Sequence, residues 1–157
     1  MQRYAQNTVV SSEKSRAEIE STLARFGASA FAYATKHNEA IIRFQAEGRV
    51  ILFRLDLPER MAPGFTNRTH GGKIRPDKLP EAEAFQKWEM ACRQKWRELA
   101  LLIKAKLVGT QGGISVFEDE FMAHIVMPDG KTVGQHMRPQ IENAYKSGKV
   151  SLALEFK

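Results

Sequence analysis

Seven residues between Phe85 and Leu107 (Phe85, Trp88, Cys92, Trp96, Leu99, Ile103 and Leu107) recur at spacings of three and four. That period is one apolar stripe along an amphipathic helix, and it predicts a helix over 80–108, stopped by Gly109 and Gly112-Gly113. A stripe this long needs an apolar surface to cover, and the chain supplies one immediately upstream. Phe31, Tyr33 and Thr35 alternate with alanines, Ile42, Phe44 and Ala46 alternate with Arg43 and Gln45, and Ile51, Phe53, Leu55 and Leu57 alternate with Arg54 and Asp56. Period-two runs joined at His37-Asn38 and Glu47-Gly48 read as an antiparallel meander of three strands with one apolar face. The long helix is its natural lid, with both tryptophans on the buried side.

The flanking segments add helices. Ser15-x-x-Glu18 has the form of a capping box; with Ile19, Leu23 and Phe26 on one face and Gly27 after them, it predicts a helix over 15–26. A second such pair, Ser115-x-x-Glu118, predicts a helix through about Ile125, and Pro128-Asp129-Gly130 marks a turn. Thr132-x-x-Gln135 predicts a third start, a helix from 133 to about 146 bent near Pro139 and ended by Gly148. Val150, Leu152, Leu154 and Phe156 alternate again, as a short strand or an apolar tail. Residues 58–79 carry Pro58, Pro63, Gly64, Gly71, Gly72 and Pro76, which predicts an irregular loop. The expected class is α+β: an N-terminal helix, a three-stranded meander under a long helix, then C-terminal helices and a short final strand. We expect one domain over 1–157, with an α-β-β-β-α core at 15–108 and a helical cap and tail at 109–157.

Charge sharpens the functional reading. The chain carries 24 Lys plus Arg against 18 Asp plus Glu, a net +6. Residues 59–78 hold Arg60, Arg68, Lys73, Arg75 and Lys78 against only Glu59 and Asp77, whereas 109–129 hold Glu118, Asp119, Glu120 and Asp129 and no Lys or Arg. A single cysteine, Cys92, excludes a disulfide framework within the chain. No apolar run approaches the ~20 residues of a membrane span, and the N-terminus lacks a signal peptide's apolar core. A cytoplasmic setting and no membrane partner are expected.

No catalytic residue, metal set or cofactor is assigned. Glu120 and His124 stand four apart, a spacing that can share a metal, but no second ligand pair accompanies them. Cys92 falls inside the apolar stripe, where a thiol is packing. Gly71-Gly72-Lys73 lacks the spacing of a phosphate-binding loop. The best physical case is nucleic acid. Phe65, Arg68, His70, Lys73 and Arg75 combine cations with an aromatic in a glycine-rich segment, and Arg93, Arg97 and Lys104 fall on one flank of the long helix, away from its apolar stripe. Lying side by side, the two would track phosphates, with Phe65 or the sheet aromatics stacking on bases. The order α-β-β-β-α also occurs in double-stranded RNA-binding domains, but Glu81 and Glu83 stand where that family is basic.

The stretches SRAEIESTLARFGA (15–28), ACRQKWRELALLIKAKL (91–107) and FEDEFMAHIVMPDGKTVG (117–134) resemble a family of small uncharacterised proteins encoded by tailed bacteriophages and prophages. The resemblance covers most of the chain. It implies a phage or prophage origin, residence in the bacterial host cytoplasm, and one of two roles common among small phage proteins: handling DNA, or binding a host protein or defence complex to inhibit it. It carries over no functional residues. The leading expectation is a non-enzymatic accessory protein binding nucleic acid, single-stranded DNA among the candidates, with an inhibitor of a host protein as the alternative. The C-terminal tail is a candidate for homo-oligomer contacts.

Overall fold

A computed structural model describes Ala5 and residues 8–150. The fold is α+β. Helix α1 spans Ser12–Arg25, and strands β1 (Ala30–Lys36), β2 (Glu39–Ala46) and β3 (Arg49–Asp56) form an antiparallel sheet in the order β1-β2-β3. The register sets Phe44 opposite both Phe31 and Ile51, and Ile42 opposite both Tyr33 and Phe53. Residues opposite one another share a face, so this pairing gathers the large apolar side chains on one side of the sheet. Glu47 and Gly48 both take positive φ, the two-residue turn whose twist suits a hairpin. The other side carries Arg43, Gln45, Arg54 and Asp56 and stays exposed.

Helix α3, Glu81–Gln111, covers the apolar face with Trp96, Leu99, Ala100, Ile103 and Leu107. Its 31 residues make a rod about 46 Å long, whereas an eight-residue strand reaches only about 26 Å. The buried stretch from Cys92 to Leu107 accounts for roughly half of the rod. The first three turns therefore run past the sheet. The expected stripe changes character there: Trp96 is 2% exposed but Phe85 is 39% exposed, and Trp88 is only half-buried, its indole N–H donating to the Pro58 carbonyl at 2.8 Å.

Helix α1 packs against α3 and contributes Ile19 and Leu23 to the core. It starts earlier than the Ser15 pattern predicts. Ser11 is the N-cap and its hydroxyl accepts from the Lys14 amide at 3.2 Å. Ser15 lies a turn inside, fully buried, with no hydrogen-bond partner for its hydroxyl. Two competing serines sit one turn apart, and the one followed by the buried face loses the cap.

The segment 58–79 is not an irregular loop. Pro63–Thr66 forms the short helix α2, with Pro63 at its start, and Asn67–His70 (β4) pairs antiparallel with Lys73–Lys78 (β5) in a separate two-stranded ribbon. Gly71 and Gly72 both take positive φ between the strands, which turns two apparent breakers into a tight hairpin turn.

The acidic segment also differs from expectation. Helix α4 covers only Phe117–Phe121, follows Val116 without a side-chain cap, and passes into a 3-10 turn at Met122–His124. Phe121 drives this path: it is fully buried, edge-on to Phe44 and Phe53 at centroid distances of 5.9 and 6.3 Å. Ile125 then bridges to Ile51, and the Val126 amide donates to the Val50 carbonyl at 2.8 Å, so the free edge of β3 is shielded. Helix α5, Val133–Ser147, opens on the expected Thr132–Gln135 capping box, continues through Pro139 and ends at Gly148 in the left-handed region. It sits close on the 3-10 turn, because a Cβ on Gly134 would fall 2.7 Å from the Ala123 carbonyl oxygen. Val150 is 80% exposed, and the alternating residues Leu152, Leu154 and Phe156 lie outside the described residues.

The two serines give a direct check on where α1 begins. Ser11→Ala should lower unfolding stability by about 1 kcal/mol, the usual cost of losing a cap. Ser15→Ala should leave it unchanged or raise it, since no hydrogen bond is lost. Urea denaturation of both variants decides, and the reverse ranking would return the helix start to Ser15.

Candidate nucleic-acid interface

The ribbon β4–β5 is built to present charge. Asn67, at its base, is 8% exposed. Its Nδ2 donates to the Arg75 carbonyl at 2.7 Å, and its Oδ1 accepts from Lys78 Nζ at 3.0 Å and from the Thr66 hydroxyl at 2.9 Å. The Leu79 amide donates to the Thr66 carbonyl at 2.8 Å, closing the base onto α2. Beyond Asn67, every residue from Arg68 to Lys78 is exposed, and the ribbon packs chiefly against α2. It is a short arm on a fixed foot.

The register decides which way the arm's side chains point. Thr69 pairs with Ile74 and His70 with Lys73, and the register shifts between Thr69 and Asn67, where Arg68 faces the irregular stretch 75–77. At the tip, His70 and Lys73 therefore share one face of the ribbon and Thr69 and Ile74 the other. An open cleft of about 760 Å³ runs along this region, lined by Arg68, His70, Arg75 and Asp77 from the ribbon and by Lys87 from α3. Among the described residues, none of Arg68, Lys73, Arg75 or Lys87 has a carboxylate within ion-pair distance. Phe65 is half-buried in α2 and does not line the cleft.

The helix cations go elsewhere. Arg93 pairs with Glu89 one turn back at 2.9 Å. Arg97 and Lys104 both engage Glu18 of α1, Lys104 at 3.7 Å and Arg97 through a direct ion pair. Nearby, the Arg16 guanidinium lies 5.2 Å from both the Tyr33 and the Trp96 ring centroids. These groups fasten α1 to α3 and the sheet. Arg97 also stands about 15 Å further along the rod than Lys87, so the expected continuous surface joining the ribbon to Arg93, Arg97 and Lys104 does not form. The ribbon meets Lys87 instead. Lys87 belongs to no cationic row of the helix, and only its place on the overhanging turns marks it.

Arg60 is the remaining cation of the segment. It stacks over Phe85 and Trp88 at 5.1 and 5.9 Å and ties the start of the segment to the overhang of α3. Glu120 and His124 do not face a common ion. Glu120 takes Lys106 at 3.3 Å, and His124 stacks on Phe53 at 3.9 Å. No group of three or more His, Cys, Asp or Glu converges among the described residues. Cys92 is buried, and burial followed by the charge of Glu89 pushes its thiol up to about 11, which keeps it protonated and unreactive. No protein-family model, curated protein or solved structure matches this chain.

His124 gives the fold a pH signature. Burial first, then Lys106 and Arg138, hold its imidazole below the ordinary value of 6.5, against a raising hydrogen bond with the Leu52 backbone. The unfolded chain therefore binds this proton more readily than the folded one. The stability it contributes is complete above about pH 6.5 and is lost as the pH falls below that towards the folded value. Urea midpoints should drop between neutral and mildly acidic pH, and His124→Phe should flatten that drop; equal slopes would contradict the assignment.

Proposed function

We propose that this protein is a non-enzymatic nucleic-acid-binding accessory protein of phage type, and that its contact surface is the β4–β5 ribbon with Lys87. One observation carries the reading. Arg68 and Arg75 line one cleft together with Lys87, and among the described residues none of Arg68, Lys73, Arg75 or Lys87 is ion-paired, although Asp77 also lines that cleft. Gathering like charges without ion-pair partners works against the stability of a ribbon. A local rule broken this way, while the turn glycines and Asn67 hold the ribbon in register, is characteristic of a surface kept for a ligand. The ligand chemistry that answers Arg68, Arg75 and Lys87 along one cleft is a row of phosphates.

Arg93, Arg97 and Lys104 have no part in this proposal as phosphate contacts, since each already serves a carboxylate. Asp77 lies in the cleft among these cations, and Glu81 and Glu83 stand in the first turn of α3.

Binding of the full chain to a labelled oligonucleotide, measured at about 50 mM and about 200 mM salt, tests this reading. Affinity should fall with salt, and Arg68→Ala/Arg75→Ala should both weaken binding and reduce the salt slope by about two. Arg97→Ala should lower urea stability and leave the slope unchanged. No binding at low salt, or an effect of Arg97→Ala on the slope equal to that of the ribbon variant, would overturn it.

A further inference from the structure

We infer that the nucleic acid taken by the ribbon is a B-form DNA duplex, entered through its major groove. This rests on the phosphate-binding reading above and narrows its ligand. Three features of the arm argue for it.

The first is size. Two strands lie about 4.8 Å apart, and an element of that thickness with its side chains is what the major groove, about 12 Å wide, admits. The minor groove, about 6 Å wide, would have to be pried open. The ribbon's four to six residues per strand reach roughly 13–20 Å, more than the ~8.5 Å depth of the groove. The second is the absence of a stacking platform at the contact surface. Non-specific single-strand binders rely on aromatic rings beneath the bases, and residues 67–78 contain no Phe, Tyr or Trp. Phe44 is buried, Phe31 and Phe65 are half-buried, and of the exposed rings Tyr33 is covered by Arg16 and Phe85 by Arg60. The third is the tip. Gly71 and Gly72 have no heavy atom within 4 Å of where a Cβ would stand, so a backbone without side chains leads the arm. Behind it come two guanidiniums, Arg68 and Arg75, along one cleft, the group that pairs bidentately with guanine O6 and N7 on the groove floor.

A-form RNA is the wrong shape for such an arm, because its major groove is deep and narrow. The same residues on a single strand would find only phosphates. The proposal therefore orders three ligands: DNA duplex first, with single-stranded DNA and RNA duplex well behind.

The test is competition binding of the full chain to a DNA duplex, its single strand, and an RNA duplex of equal length, at one salt concentration. The DNA duplex should bind roughly tenfold or more tightly than either of the others, and its salt slope per contact should be nearer −0.9 than −0.7. Methyl green, which occupies the major groove, should displace the protein; netropsin, which occupies the minor groove, should not. Equal or tighter binding of the single strand or the RNA, or displacement by netropsin alone, would overturn the duplex assignment and leave the phosphate-binding reading intact. Failure to bind any of the three at low salt would overturn both.

Discussion

A three-stranded meander has one apolar face, and the burial of that face under α3 determines where everything else in the molecule can go. The sheet is only about 26 Å deep along its strands, whereas α3 is nearly twice that length. A rod longer than the surface it covers must overhang. At the far end, where the helix is buried to Leu107, α4 tucks its Phe121 beneath the lid against Phe44 and Phe53. At the near end the overhang receives Arg60 on Phe85 and Trp88, and beyond them α2 and the ribbon. The arm is therefore held outside the packed sheet, on an extension of its lid.

The same arrangement divides the cations by task. Over the sheet, where α1 and α3 meet, the positive groups have a structural partner in Glu18, which takes both Arg97 and Lys104, while Arg16 covers Tyr33 and Trp96. Past the sheet Arg60 pairs with Glu81 at 3.8 Å, but among the described residues Arg68, Lys73, Arg75 and Lys87 have no carboxylate within ion-pair distance. A net charge of +6 thus says less than its distribution. The unpaired subset is what a polyanion can use without dismantling the fold.

How much of this is legible in the sequence follows from which signals are local. The meander and α3 are written in unbroken periodicity, and burial follows it closely in β2, β3 and α3 from Cys92 to Leu107, whereas β1 is exposed apart from the half-buried Phe31 and the first turns of α3 depart from the stripe. The ribbon is not, because Gly71, Gly72 and Pro76 read as breakers when taken singly. The two glycines are instead the positive-φ pair of a hairpin turn, and Pro76 falls in the irregular stretch between the Thr69 and Asn67 pairings, where a missing N–H breaks no ladder bond. Glu18 is misread for a related reason. Its spacing from Ser15 fits a cap, but its partners lie 79 and more residues away along the chain on α3. Tertiary pairing of that kind leaves no trace in local spacing, and it is what removes Arg97 and Lys104 from the candidate surface. Lys87, conversely, becomes visible only once the overhang exists.

The central claim is that the ribbon and the overhanging turns of α3 form one surface and that the α1–α3 seam does not belong to it. Titration of the isotope-labelled full chain with a short mixed-sequence DNA duplex, followed by amide chemical-shift mapping, tests this most directly. The account predicts shifts concentrated at 66–79 and around Lys87, with the amides of Glu18, Arg97 and Lys104 unmoved. Shifts centred on those three residues, or spread along the exposed face of the sheet with the ribbon silent, would contradict it.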